Sequence, residues 1–345
     1  MNTTLLDKIT HLTELAVQIK TDEKIQTAKE RAEGTNPFFT KEFIDNAIAG
    51  ISNWLNKDKL DKWLSDYPFL NQSYAQKKIA IIMAGNIPLV GFHDFLCLYL
   101  TDHFIQIKTS SKDDVLFRSV LAKLCELDTN LSARVSLLER LTDFDAVIAT
   151  GSDNSFRYFE YYFKNKPSLL RKNRNSIAIL TGEETDEELE KLGDDIFLYF
   201  GLGCRNVSKL FVQKDVDVTR LFSRFELYNW MHHHSKYMNN YDYHRAIYLL
   251  NRQAHLADEK IMLIENENIN SPLSVVHFER FEDWTNLNTT IDSQKDNIQC
   301  IVGGQTVAKH IQSANITPFG QSQNPTLSDF ADNVNTFIFL ESLNE

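Results

Sequence analysis

Cysteine is scarce in this sequence: four in 345 residues, at Cys97, Cys125, Cys204 and Cys300. They are too few and too widely spaced for a disulfide framework or a paired-cysteine metal site. Such usage suits a reducing compartment and gives the cytoplasm as the expected location. Long apolar runs are also missing. No stretch approaches the roughly 18 apolar residues of a membrane span, so none is expected. The opening MNTTLLDKITHLTELAVQIK has no basic region leading into a long apolar stretch, and does not read as a secretory signal. Positive charge is in deficit, with 36 Lys and Arg against 47 Asp and Glu, a formal net charge of −11. That balance argues against a nucleic-acid footprint, though not against a local basic pocket for a phosphate-bearing ligand. Repeats and low-complexity tracts are absent. What is present is 43% hydrophobic residues, ample for a buried core in two domains or one large one.

The first 75 residues read as helical. Leu5, Leu6, Ile9, Leu12, Leu15, Ala16 and Ile19 form a stripe at helical spacing within residues 2–32, and Asn36-Pro37 breaks it. Two short helices, about 40–56 and 58–65, end before Tyr67-Pro68. The pattern then changes. Lys78–Met83 is a continuous apolar run of the kind buried on both faces of a parallel sheet, followed by the turn Ala84–Pro88 and a helix to about Tyr99. Strands at Phe104–Lys108 and Asp145–Thr150 are each followed by polar turns and helices, near 113–127 and 153–165. This alternation indicates an α/β domain. A fourth strand is predicted at Ser176–Leu180, then a helix with the acidic start Glu183–Glu190 running on through Phe200. Gly201-Leu202-Gly203 ends that helix, Cys204 follows, and Val207–Val212 reads as a strand. Near the end, Pro318-Phe319-Gly320 precedes a final helix and a terminal strand at Thr336–Leu340. The divisions are a helical region at 1–75, α/β domains at 76–175 and 176–316, and a segment at 317–345 that returns to the first α/β domain or makes an oligomer contact.

Three features are candidates for chemistry. Cys204 lies between a glycine-rich helix end and a strand, beside Arg205, where a neighbouring cation favours the reactive thiolate. Taken alone it reads first as a half-buried core thiol, the commoner fate of a free cysteine. The turns Gly85-Asn86-Ile87-Pro88 and Gly151-Ser152-Asp153 follow apolar strands and open helices, a place where backbone N–H groups meet anions. Neither is GxGxxG, and each also reads as an ordinary connection. His232-His233-His234, with His244 downstream, reads as a polar loop, because adjacent histidines do not readily converge on one metal ion. No metal site is expected, and a substrate contact stays open for the histidines. The aromatics Phe225, Tyr228, Trp230, Tyr237, Tyr241 and Tyr243 read mostly as core or interface, with a role in lining an acyl pocket open.

The segments Met83–Asp94, Ile148–Asp153 and Gly201–Ser208, in this order and with Pro318-Phe319-Gly320 near the end, resemble the LuxC-type acyl-CoA reductases of the aldehyde-dehydrogenase superfamily. The resemblance runs from about residue 36 to the C-terminus. It implies an aldehyde-dehydrogenase-like fold, with a Rossmann-type cofactor domain at 76–175, a nucleophile-bearing domain at 176–316 and a helical lead-in. It implies that Cys204 is the nucleophile and that the Asn86 side chain helps form the oxyanion hole. Lys108 and Ser110 fall on the segment that grips the adenosine ribose or its 2′-phosphate, and Gly151-Ser152 on the turn facing the cofactor pyrophosphate. Ser271-Pro272 resembles the segment beside the nicotinamide ribose, with Asn268 and Asn270 standing where glutamate and phenylalanine are usual. Hydrolytic relatives carry a water-activating glutamate in a glutamate-leucine-glycine-glycine motif. Here the corresponding stretch, Leu170–Asn175, has no carboxylate.

The function so implied is NADPH-dependent reduction of an acyl-CoA or acyl-carrier thioester to aldehyde through a thioester on Cys204, with NADH the alternative cofactor. The expected association is a homodimer, through the strand at Thr336–Leu340, or an acyl-transfer partner protein. Two other classes stay open: an acyltransferase or thioesterase using Cys204 without nucleotide, and a non-catalytic subunit of a reductase complex.

Overall fold

The computed structural model describes residues 3–311 and 314–344. Residue 2, where the N-terminal helical pattern begins, lies outside them. The chain divides into two compact units: 1–173 with 326–345, and 174–325.

The first unit begins with four helices. Helix α1 (Leu5–Thr21) starts at a capping box between Thr4 and Asp7 and buries Leu12, Leu15 and Ile19 completely. The predicted stripe over 2–32 is two helices, because Asp22 is extended and its carboxylate accepts from Lys24 N and Ile25 N to start α2 (Glu23–Thr35). Helices α3 (Lys41–Trp54) and α4 (Lys57–Leu64) follow the caps Thr40 and Asn56. The chain then alternates: β1 (Lys78–Ile82), α5 (Phe92–Leu100), β2 (Phe104–Lys108), α6 (Asp114–Leu127), β3 (Val135–Leu137), β4 (Ala146–Thr150), α7 (Asp153–Phe163) and β5 (Ser168–Arg171). These strands form one parallel sheet in the order β3-β2-β1-β4-β5. Strands β3 and β5 escape the sequence pattern because they are short and alternate at the sheet's two edges.

The second unit starts at the predicted fourth strand, which opens a new sheet. Its elements are β6 (Asn175–Leu180), α8 (Asp186–Phe197), β7 (Val207–Gln213), α9 (Arg220–Arg224), α10 (Ser235–Leu250), β8 (Leu256–Ala257), β9 (Met262–Glu265), β10 (Val275–Phe281), α11 (Trp284–Ser293), β11 (Ile298–Val302), α12 (Gln305–His310) and β12 (Ile316–Thr317). The sheet order is β12-β11-β6-β7-β10-β9-β8, parallel except for the β8–β9 pair. Helix α8 stops at Phe197 instead of running to Phe200, because Tyr199 and Phe200 take left-handed φ values of 56° and 57°.

The last residues rejoin the first unit, and here the sequence expectation fails. Thr336–Leu340 is not a strand but part of helix α13 (Thr336–Ser342). Asn335 Oδ1 accepts from Phe337 N and Ile338 N, and Thr336, Phe337 and Leu340 are buried at helical spacing. The short apolar run read equally as a strand, and the cap decides between them. A dimer built on a terminal strand loses its basis. Arg171, at the end of β5, donates to both oxygens of Asp94 on α5, at 2.9 and 2.8 Å, and to Thr336 Oγ1 at 2.8 Å. Burial pushes the Asp94 carboxyl up, and the adjacent guanidinium outweighs it and holds the group below its ordinary value. None of the described helices is long and apolar enough to cross a membrane.

Candidate active site

In the first unit the candidate residues gather at one edge of the sheet. Register places Lys108 level with Ile82, and Ile82 level with Ala149. The turns after β1, β2 and β4 therefore leave the carboxyl ends of three neighbouring parallel strands. Between β1 and β4 the strand order reverses, the place where open α/β sheets hold nucleotides. Lys108 is exposed and Ser110 half-buried. Ser110 Oγ accepts from Lys112 N at 3.3 Å. A Cβ on Gly85 would lie 2.6 Å from the Ser110 Cβ, so the Asn86 turn fits against the Lys108–Ser110 segment only because residue 85 has no side chain. Ser152 caps α7, its Oγ accepting from Ser155 N, and a Cβ on Gly151 would come within 2.8 Å of Phe159 and Ser155. Lys108, Ser110, Gly151, Ser152 and Asn86 are thus brought to one edge of one sheet.

The Asn86 turn is fixed at its far end. Leu89 is buried with φ 56°, a left-handed conformation that costs a leucine roughly 1–2 kcal/mol. Its N–H donates to Asp113 Oδ2 at 2.7 Å. Burial, with a smaller contribution from the Asp114 carboxylate, pushes Asp113 up to about 8. Asp113 escapes the sequence reading because an aspartate ahead of an apolar helix looks like an ordinary cap.

In the second unit Cys204 lies in the turn that leads into β7, at the amino end of that strand. After the left-handed Tyr199 and Phe200 comes Gly201 at φ 75°, a value glycine adopts without strain. Asn206 is buried and ties the turn together. Its Oδ1 accepts from Gly203 N at 2.8 Å, and its Nδ2 donates to the carbonyls of Asp195, Ile196 and Leu198 at 3.1, 3.3 and 2.9 Å. Those carbonyls belong to the end of α8, where backbone acceptors otherwise go unpaired. Ser176 Oγ donates to Cys204 O at 3.1 Å and lies 2.8 Å from Cys300 Sγ. Burial pushes the Cys300 thiol up to about 11, so this second cysteine is kept as a thiol beside the first. Asp195 accepts from Gly320 N at 2.7 Å and Ser322 N at 2.9 Å, which fixes the Pro318-Phe319-Gly320 turn to α8. Burial raises Asp195 to about 6 against those two donors.

Pro272 lies in the return loop between β9 and β10. It stands five residues before His277, and Cys204 five before Lys209, the residue paired with His277. Both therefore sit at the amino edge of adjacent strands. The loop is pinned by Ser208 Oγ donating to Ile269 O and by Ser271 Oγ donating to Val275 O. Of the histidines, His234 caps α10, its Nδ1 accepting from Tyr237 N, and its ring stacks 4.3 Å from Phe200. Phe225, Tyr228, Tyr237 and Tyr241 are buried, while Tyr243 is exposed. Among the described residues no cluster of His, Cys, Asp and Glu is arranged to hold a metal ion. The Leu170–Asn175 stretch contains the buried Arg171, committed to Asp94 and Thr336.

Solved structures with a similar fold include aldehyde dehydrogenases. An indole-3-acetaldehyde dehydrogenase mutant from P. syringae, solved with NAD+ and IAA, superposes with a TM-score of 0.66 at 13% identity, covering 91% of this chain and 76% of that one. An NAD+ complex of aldehyde dehydrogenase from Bacillus cereus gives 0.65 at 13% identity, covering 91% and 75%. Betaine aldehyde dehydrogenase from Staphylococcus aureus with NAD+ gives 0.65 at 9% identity, covering 91% and 74%. At these identities the likeness is one of fold. No curated protein matches the sequence. The family model for acyl-CoA reductase (LuxC) matches residues 6–225, taking in the N-terminal helices and the Asn86, Gly151 and Cys204 motifs and stopping short of Pro318-Phe319-Gly320. The chain belongs to the LuxC family of acyl-CoA reductases.

Proposed function

We propose that this acyl-CoA reductase forms a thioester on Cys204 and releases aldehyde with NADPH as its cofactor. The observation that carries this reading is the Cys204 turn itself, set at the amino end of β7 by the four side-chain hydrogen bonds of Asn206 and lying within the residues that the family model matches. The Cys204 thiolate attacks the acyl carbonyl and the carrier thiol leaves. Asn86 supplies a side-chain donor to the developing oxyanion, and the Cys204 backbone N–H a second. The first unit fits a dinucleotide on its own geometry: a parallel sheet with a reversal of strand order, and two glycine turns with no room for a Cβ. Lys108 and Ser110 would hold the adenosine ribose or its 2′-phosphate, Gly151-Ser152 the pyrophosphate, and Pro272 the nicotinamide ribose. When bound, the nicotinamide supplies the hydride that turns the acyl thioester into an aldehyde. With Leu170–Asn175 lacking a carboxylate, this chain has no water-activating base at the position where hydrolytic relatives carry one, which favours hydride transfer to the thioester over its hydrolysis. The free state of the four cysteines agrees with a cytoplasmic setting.

The test is turnover of an acyl-CoA series with NADPH and with NADH, followed at once for nucleotide oxidation, free thiol and aldehyde. The expected result is stoichiometric formation of all three products, with an acyl adduct on Cys204 that accumulates without nucleotide and is absent in Cys204→Ala. Thiol release without nucleotide oxidation overturns the reductase reading in favour of acyl transfer or hydrolysis. An intact Cys204 that takes up no acyl group leaves a non-catalytic subunit.

A further inference from the structure

Asp113 occupies the position where an aspartate ordinarily accepts from the first N–H groups of its own helix, but it makes no such bond. Its Oδ2 instead accepts from Leu89 N, in the turn after β1, at 2.7 Å. The residue is only 6% exposed, and Oδ1 is buried with no hydrogen-bond partner among the described residues. A half-satisfied buried carboxyl is destabilising, and an ordinary helix cap in water would avoid that cost. The bond goes to a residue that needs holding. Leu89, three residues after Asn86, is in the left-handed region, a conformation that persists only where the surroundings impose it. On its other side Asp113 continues directly from the ribose segment: Asp113 N donates to Ser110 O at 3.1 Å. A Cβ on Gly85 would meet both Ser110, at 2.6 Å, and the Asp113 Cβ, at 3.2 Å.

We infer that Asp113 is a positioning residue that locks the 84–91 turn, and Asn86 with it, onto the Lys108–Ser110 segment, so that cofactor binding on that segment and placement of Asn86 are a single event. The inference rests on the roles proposed above for Asn86, Lys108 and Ser110. Asp113 acts through Leu89 N–H, so a side chain that still accepts that bond preserves the function whatever its charge.

Hydrogen exchange read by mass spectrometry tests this without relying on activity. Asp113→Ala exchanges the amides of residues 86–91 at least about tenfold faster than wild type, while Asp113→Asn, whose amide oxygen still accepts from Leu89 N, exchanges as wild type does. NADPH slows exchange of that turn in wild type and in Asp113→Asn, but not in Asp113→Ala. In turnover, Asp113→Ala lowers kcat at least about tenfold with KM for acyl-CoA within about threefold, and Asp113→Asn recovers it. Should Asp113→Ala fail to fold, Asp113→Ser keeps a polar group too short to reach Leu89 N and carries the same expectation. Unchanged exchange in the alanine or serine variant, or an asparagine variant as perturbed as alanine, overturns the inference. A wild-type protein that oxidises no nucleotide overturns the reductase reading instead and leaves the exchange result standing.

Discussion

The turn carrying Asn86 and the turn carrying Cys204 are built on opposite principles. The first leaves the carboxyl end of a strand, and at its far end Leu89 N donates to Asp113 at a neighbouring helix entry, outside the turn. The second enters a strand at its amino end and is held from within: Asn206 alone makes four hydrogen bonds to the residues around Cys204. A nucleophile needs one fixed position through acylation and release, and dense local bonding supplies it. A donor that must meet both substrate and cofactor gains from an anchor that another segment can tighten. On the roles proposed for them, Cys204 is a rigid thiol and Asn86 an adjustable oxyanion partner.

Breaking the dense turn has the largest expected effect. Asn206→Ala leaves Gly203 N–H and three helix-end carbonyls unsatisfied, and lowers stability by at least about 4 kcal/mol, since each of the four groups so stranded costs about 1–3. Urea denaturation measures it, and a loss below about 1 kcal/mol would mean the turn holds itself. Next comes Asn86→Ala, which removes one oxyanion donor and costs about 3–4 kcal/mol of barrier, or roughly 10²–10³ in kcat, with the unfolding midpoint unchanged. An equal loss of stability would make Asn86 a structural residue and erase the contrast. Gly201→Ala forces a side chain into φ 75° and costs about 1–2 kcal/mol in the same denaturation assay. Last comes a pH slope, small over any one unit of pH. Asp113 has a folded value of about 8 against 3.8 when unfolded, so its contribution is present at low pH and is lost as pH rises through 8. Asp113→Asn does not titrate, so its stability relative to wild type improves between about pH 4 and 8, by less than the ceiling of about 1.4 kcal/mol per pH unit for one group. Parallel pH curves for the two proteins would show that Asp113 is ionised in the fold.

Strands β1, β2, β4, β6 and β7 were readable from the sequence because each is an apolar run bounded by turn residues. Strands β3 and β5 were not, being short edge strands whose burial alternates. The terminal element is ambiguous in the sequence because Thr336–Leu340 offers too few residues to separate a period of two from one of 3.6, and its cap, Asn335, decides for the helix. The candidate site residues could be named through the family resemblance, which Asn86, Gly151, Ser152 and Cys204 carry in glycine turns beside strands, while Lys108, Ser110 and Pro272 lie outside such turns. Their supports could not: Asp113 looks like a cap, Asn206 like a polar turn residue and Asp195 like one more acid on an acidic helix. Each acts on a residue whose proximity only the folded backbone determines.

The return of residues 326–345 to the first unit has a consequence for synthesis. Phe337, Leu340 and Leu343 complete the same core as Trp63 and Phe69, and Thr336 Oγ1 accepts from the buried Arg171. On the ribosome the second unit, continuous from 174 to 325, is fully extruded before those residues appear. The first-made part of the chain is therefore the last to be finished. Until then it holds an uncovered apolar surface, at which a chaperone would act and a premature stop would do the most harm.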